Sequence, residues 1–318
     1  MTDRIADATG RLFGALWPKL TDEQYRESVA LFTKRFEANG FDLGWFRGKK
    51  CLDAGCGSGR YAVAMAMHGA AEVIGCDVSE TGLAEASRRA RAIPAVRFER
   101  GSALALPYED AAFDFVCCAG VLHHTPDLER GLDELVRVLK PSGKLFLLLY
   151  GAGGLRWKAI KALRPIVADL GQERLDAAMI QAGLPANNRK HFMDDLFVPI
   201  QTLVDWADLS RWLAARGCES VERWTEGRFD HEASPQAQIE DIDKLVRIFA
   251  ALRTTGGGPL HETLSTIGES LARVYADAAR ETAARTDLTP AASEDIVIGQ
   301  GNHRVLAVKG GAALEKRL

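Results

Sequence analysis

Apolar residues recur along this chain with two periods. In residues 21–40, Tyr25, Val29, Phe32 and Phe36 fall at helical spacing behind Thr21 and Gln24, a capping-box pair, and Asn39-Gly40 stops the run. This predicts an amphipathic lead-in helix. From Lys50 onward, short apolar runs at 51–54, 72–76, 96–99, 113–119 and 145–150 read as strands, separated by helical patterns at 60–68, 79–91 and 128–139. Strands that alternate with helices specify βαβ units, hence a parallel sheet with helices on both faces. The regularity breaks at Gly151-Ala152-Gly153-Gly154, after which a helical, polar-and-aromatic stretch runs to about Arg216. A strand near 221–224, two helices at 236–252 and 261–278 joined by Thr254-Thr255-Gly256-Gly257-Gly258, and a last strand near 302–308 complete the pattern.

The expected organisation is a helical cover over 1–48, an α/β core over 49–150, a helical insertion acting as a lid over 151–216, and the end of the sheet with an inserted helical pair over 217–318. In that pair, Ile239, Ile242, Val246 and Phe249 form one apolar stripe, and Leu264, Ile267, Leu271 and Val274 another. Both stripes are read as packing faces toward the domain in preference to a subunit contact, and the oligomeric state is left open.

Composition narrows the possible partners. The 318 residues are 47% hydrophobic, enough to bury a substantial core, and carry 40 basic against 43 acidic side chains, a formal charge of -3 with no long basic run. A phosphate backbone or an anionic membrane surface is therefore disfavoured as a partner. No apolar run approaches the length of a membrane span, and residues 1–10 lack a signal-peptide profile. The six cysteines, at 51, 56, 76, 117, 118 and 218, have no metal-binding spacing and mostly sit in strand-like runs, so a reducing, cytoplasmic protein without a metal site is expected.

The candidate chemistry begins where the first strand runs into Asp53-Ala54-Gly55-Cys56-Gly57-Ser58-Gly59-Arg60. Glycines let a ligand approach the backbone, and a helix N-terminus offers unpaired N–H donors to an anion. That anion is either a pyrophosphate or the carboxylate of a bound methionine moiety; the negative charge of Asp53 suits an ammonium group and is a poor neighbour for a pyrophosphate. Gly57-Ser58-Gly59-Arg60-Tyr61-Ala62 also satisfies a dinucleotide-binding fingerprint, and Asp77, closing the second strand, suits ribose hydroxyls in either case.

The wider pattern separates the two. Cys51-Leu52-Asp53-Ala54-Gly55-Cys56-Gly57-Ser58-Gly59, Gly75-Cys76-Asp77-Val78-Ser79, Gly101-Ser102-Ala103-Leu104-Ala105-Leu106-Pro107, Phe113-Asp114-Phe115-Val116 leading to Gly120-Val121-Leu122-His123-His124, and Arg137-Val138-Leu139-Lys140-Pro141-Ser142-Gly143-Lys144-Leu145 follow one another in order. Together they resemble the class I S-adenosylmethionine-dependent methyltransferases related to quinone-biosynthesis methyltransferases. The resemblance implies a Rossmann-like seven-stranded α/β sheet of strand order 3-2-1-4-5-7-6 with the last strand antiparallel, to which the residue pattern adds helices on both faces, an N-terminal helical cover and helical insertions after strands 5 and 6. It implies S-adenosyl-L-methionine as cofactor and S-adenosyl-L-homocysteine as product. Gly55, Gly57 and Gly59 would hold the methionine end near Asp53, Asp77 the ribose and Val78 the adenine face. Ser102 and Ala103 would lie at the adenine edge, with Ala119 and Gly120 beside the sulfonium. Ser102 stands where the family has an acidic residue, and Pro141-Ser142-Gly143 replaces a double glycine.

Methyl transfer asks chiefly for alignment, so a base is needed only where the acceptor must lose a proton. The candidates are His123, His124, His191, Asp194, Asp195, His231 and Glu232, of which His124 is preferred because it lies deeper in the loop at the carboxyl edge of the sheet. Plainer readings stand beside these. A histidine in that loop can serve only to hydrogen-bond it. Cys117 and Cys118 point to opposite faces and pack in the core. Asp194 and Asp195 are one helix cap and one solvated charge. Trp206, Trp212 and Trp224 pack at a seam in preference to forming a cation cage, and Arg88, Arg89 and Arg91 form a solvated helix face. Near-neutral charge and a helical lid favour a small-molecule acceptor. The competing readings are a nicotinamide-dependent oxidoreductase, a non-catalytic cofactor-binding scaffold and a nucleic-acid methyltransferase.

Overall fold

The computed structural model describes residues 21–228 and 231–311. In chain order the elements are α1 (Asp22–Ala38), β1 (Lys50–Ala54), α2 (Arg60–Met67), β2 (Glu72–Asp77), α3 (Glu80–Ala90), β3 (Val96–Arg100), β4 (Phe113–Ala119), α4 (Leu128–Val138) and β5 (Leu139–Tyr150). There follow α5 (Leu155–Leu170), α6 (Gln172–Gln181), α7 (Ala186–Phe197), α8 (Trp206–Ala215), β6 (Cys218–Trp224), α9 (Pro235–Leu252), α10 (Gly258–Ala284), α11 (Pro290–Val297) and β7 (Asn302–Lys309). The chain divides into two compact units: a sheet unit of residues 21–150, 199–227 and 302–311, and a helical unit of 151–198 and 228–301. The units do not follow chain order: residues 199–227 and 302–311 join the sheet unit across the segments that form the helical unit. The expectation about residues 1–10 lies outside the described residues.

In the sheet unit, the seven strands run β3-β2-β1-β4-β5-β7-β6, with β7 antiparallel to both neighbours, as the sequence implied. Alternation along the strands separates two cores. Cys117 packs in the layer that holds Phe32, Phe36 and Phe146, and its neighbour Cys118 in the layer that holds Leu122, Leu132 and Leu145. Helix α1 is anchored by the Thr21/Gln24 capping box and inserts Phe32 and Phe36, both buried, into the first of these layers. The Phe36 ring lies 4.8 Å from Trp224 and 5.0 Å from Phe146. Burying two such side chains contributes roughly 2–3 kcal/mol each. Trp224 thus belongs to one layer, whereas Trp206 and Trp212 pack against the other, so the three tryptophans neither share a seam nor form a cage. Arg89 is also buried, stacked over Tyr25 at 4.5 Å and paired with Glu85, which corrects the reading of it as solvated.

In the helical unit, α10 packs along α9 and α5. The α9 stripe of Ile239, Ile242, Val246 and Phe249 is buried as expected. That of α10 is not. Its inward face is Ser265, Gly268, Glu269, Ala272, Ala276 and Ala279, and Ile267 and Val274 are exposed. Small residues win the inner face because the helices approach so closely that a Cβ at Gly268 would lie 2.1 Å from the Phe249 ring. Asp194 and Asp195 sit in the last turn of α7, both buried, and are neither a helix cap nor solvated.

Candidate active site at the carboxyl ends of the strands

The glycine turn leaves β1 and opens α2. Gly55 and Gly57 have φ of 77° and 51°, the left-handed region in which a side chain is strained. A Cβ on Gly55 would lie 2.3 Å from Val121, whereas nothing stands within 4 Å of one on Gly57. The turn is pinned to the neighbouring strand: the N–H groups of Gly55 and Cys56 donate to the Cys76 carbonyl at 2.7 and 3.1 Å. Gly59 closes it by donating to Cys56 and serves as the residue before the first turn of α2.

Asp77 ends β2 and braces the same turn. Its carboxylate accepts from the Gly57 N–H and the Ser79 N–H, both at 2.8 Å. Burial nevertheless raises its carboxyl above the usual range, against the pull of those bonds. Val78, beside it, is 38% exposed and presents an apolar surface next to the half-buried carboxylate. Asp53 lies beneath the turn, 3% exposed, accepting from the Ala62 N–H at 3.0 Å. Desolvation pushes its carboxyl up to about 7.

The other loops at this edge are held just as firmly. Gly101 donates to the Asp77 carbonyl, and the Ser102 hydroxyl accepts from the Leu104 N–H at 3.2 Å, leaving Ala103 buried. Glu134 and Arg137 of α4 secure the next residues: Glu134 accepts from the Leu106 N–H, and Arg137 donates to the carbonyls of Leu106 and Tyr108. Ala119 ends β4, and Gly120 donates to the Leu148 carbonyl. A single 3₁₀ turn, Leu122–His124, follows.

That turn carries both histidines of the loop. The His124 ring is buried, with Nδ1 2.9 Å from the Ile200 carbonyl, so the neutral ring carries its proton on Nδ1 and Nε2 is the basic nitrogen. His123 is wholly buried, stacked on Tyr150 at 3.8 Å, and burial holds its imidazolium well below the ordinary range. The remaining candidate bases, His191, Asp194, Asp195, His231 and Glu232, all belong to the helical unit. There Arg156, 1% exposed, donates to Asp195 and to Asp241 at 2.5 Å each, and Lys244 pairs with Asp241. Asp195 is therefore one member of a buried ion-pair network. No group of side chains able to hold a metal ion occurs among the described residues.

One residue at the turn escapes sequence reasoning. The Tyr25 hydroxyl donates to the Ser58 carbonyl at 3.2 Å, which fixes α1 on the turn. In the sequence Tyr25 is only the first member of an apolar stripe, and its hydroxyl was the available signal.

A methyltransferase-domain model matches residues 52–147, a stretch that begins within β1 and ends within β5. Residues 52–147 are a class I methyltransferase domain. The chain is similar to a 27-O-demethylrifamycin SV methyltransferase of Amycolatopsis mediterranei, 35% identical over 147 residues, 43% of this chain and 54% of that protein. A demethylmenaquinone methyltransferase of Staphylococcus aureus is 37% identical over 109 residues, 34% of this chain and 45% of that one. The chain thus spans about half the length of the curated relatives it matches. A solved structure described as a putative sarcosine dimethylglycine methyltransferase from Galdieria sulphuraria superposes over 96% of this chain and 99% of its own with a TM-score of 0.50; at 13% identity it supports the fold alone. The methyltransferase domain supplies the turn, Asp53, Asp77, Val78, Ser102, Ala103, Ala119, Gly120 and both histidines, while Tyr25 and the Ile200 carbonyl come from outside it.

Proposed function

We propose that the chain is an enzyme that moves the methyl group of S-adenosylmethionine directly onto an O, N, S or C nucleophile of a small molecule. The observation that carries this reading is the Asp77 carboxylate bonded to the Gly57 N–H: it couples the carboxylate that would bind the ribose to the turn that would receive the methionine end. The residues fit the cofactor, because the space over Gly57 is open and Val78 presents an apolar surface beside Asp77.

The bound cofactor supplies an activated methyl on sulfur. The backbone at Gly55, Gly57 and Gly59 would cradle its amino-acid end, with Asp53 acting from beneath the turn as counter-charge to the ammonium. Asp77 would accept from the ribose hydroxyls, Val78 would pack on the adenine, and Ser102 and Ala103 would meet its edge. Ala119 and Gly120 would border the reacting centre. His124, through Nε2, would take a proton from an acceptor that must lose one. A near-neutral charge speaks for a small-molecule acceptor and against nucleic acid. The cysteines are buried and unpaired, which supports a reducing, cytoplasmic setting. No described helix is long and apolar enough to cross a membrane.

Calorimetric titration with S-adenosylmethionine and S-adenosylhomocysteine tests the proposal. Binding that falls by at least roughly tenfold in Asp77→Ala is expected, the loss of about one charge-assisted bond pair. Folded protein that binds neither compound sinks it.

A further inference from the structure

Helix α10 is 27 residues long, about 40 Å, and turns small residues inward. Its outward face carries Leu260, Ile267 and Val274, which are 66%, 46% and 63% exposed, one at every seventh position. Between them lie the half-buried Leu264 and Leu271, and beyond them Ala278. Three exposed large apolar side chains aligned on one helix are not the scattered surface hydrophobics of a monomer.

The spacing of this row says what covers it. From Leu260 through Leu264, Ile267, Leu271 and Val274 to Ala278 the intervals are four, three, four, three and four, the 3.5-residue repeat by which one helix seats in the grooves of another. The series reads the same in both directions. A twofold axis across its middle therefore sets Leu260 against Ala278, Leu264 against Val274 and Ile267 against Leu271, an apolar side chain facing an apolar one in every pair. Such a self-complementary row is the requirement of an isologous contact. Around the centre, the outward neighbours of Ile267 are Thr263, Thr266 and Ser270, whose hydroxyls are satisfied by carbonyls of their own helix, so no charge must be desolvated there. Glu269, the nearest acid, points inward and is held by Arg253 and Arg273. The row from Leu260 to Ala278 is about 27 Å long, and its large apolar side chains stand in water unless a second helix is laid along them.

We propose that the outward face of α10 is a dimer interface, occupied by the α10 of a second copy of this chain in antiparallel orientation. The reading concerns only the helical unit and does not depend on the activity proposed above. The full-length chain is expected to show the mass of a dimer by light scattering, and Ile267→Asp with Val274→Asp to reduce it to a monomer without altering far-UV circular dichroism. A wild-type monomer at the highest soluble concentration, or a dimer indifferent to the two substitutions, overturns the proposal.

A second experiment does not rely on disrupting anything. The six native cysteines are buried, so single thiols introduced at Ser270→Cys, next to the axis, and Leu260→Cys, far from it, are the accessible ones. Under mild oxidation Ser270→Cys is expected to cross-link to its copy and Leu260→Cys to remain reduced. Cross-linking of Leu260→Cys alone, or of both positions equally, contradicts the antiparallel arrangement.

Discussion

The Asp53 carboxylate accepts a hydrogen bond from the Ala62 N–H at 3.0 Å while lying almost entirely out of water. One backbone bond does not offset that desolvation, and the carboxyl titrates at about 7. Because the folded value is raised, its contribution to stability is complete below the ordinary carboxyl range and is lost as pH climbs to about 7, a change on the order of 4 kcal/mol. The melting temperature of the ligand-free protein should therefore decline from pH 4 to pH 7, and Asp53→Asn should flatten that decline. A cation placed over the turn reverses the argument, so S-adenosylmethionine should raise the melting temperature more at pH 8 than at pH 5. Equal shifts at both pH values would count against Asp53 as its counter-charge.

The two glycines of the turn should separate folding from binding. Gly55→Ala meets Val121 and a strained φ together, and a loss of about 2–5 kcal/mol in urea unfolding is expected. Gly57→Ala meets no neighbouring atom, so its cost should stay near about 1–2 kcal/mol, yet its methyl group occupies the space a ligand needs. It should remain folded and lose affinity in the same calorimetric titration. Full affinity in Gly57→Ala would refute the placement of a ligand over the turn.

Arg156 joins two buried carboxylates of the helical unit, and its removal leaves their charges without their shared partner. Arg156→Ala should cost about 3–5 kcal/mol by chemical denaturation. The guanidinium also holds the Asp241 carboxyl well below the usual range, overcoming its burial. Stability from a depressed carboxyl is present at neutral pH and is lost as pH falls through the folded value, so the acid-unfolding midpoint should move to higher pH in the variant. An unchanged midpoint would show the network to be electrostatically idle.

The histidines of the 3₁₀ turn should behave differently from each other. His123 is a neutral stacking ring on Tyr150, and His123→Phe should preserve both the fold and the pH–rate profile. His124→Ala, assayed with an acceptor that must be deprotonated, should lower kcat by roughly 10²–10⁴-fold and abolish the profile's acidic limb. A profile that keeps this limb in His124→Ala removes the residue from the role of base.

The sheet was legible in the sequence because its central strands β1, β2, β4 and β5 carry short apolar runs and its edge strands β3 and β6 alternate apolar with polar residues, both local properties. The turn, Asp77 and the loop histidines were legible for the same reason. What the sequence concealed depends on distant partners. Asp195 and Asp241 are bridged by Arg156 from another helix, and no local pattern distinguishes that from a solvated acid. The α10 stripe was assigned to the inside because apolar spacing reveals a face but not its neighbour, and the close approach of Phe249 to Gly268 gave the inside to alanine and glycine instead. The Tyr25 hydroxyl on the Ser58 carbonyl is likewise a contact between residues far apart in sequence.

Strand β7 joins β5 on one side and β6 on the other, pairing Asn302 with Tyr150 across nearly half the chain. While the protein is being made, β5 therefore emerges from the ribosome with a bare hydrogen-bonding edge and keeps it through the synthesis of every helix from α5 to α11. Pairing of such distant segments is slow, and a nascent chain with that edge exposed is open to mispairing with its neighbours. The gene is thus more exposed to late nonsense mutations than the position of its methyltransferase domain suggests: a stop codon just before Asn302 spares every residue of that domain and still leaves two strands of its sheet unit without the partner between them.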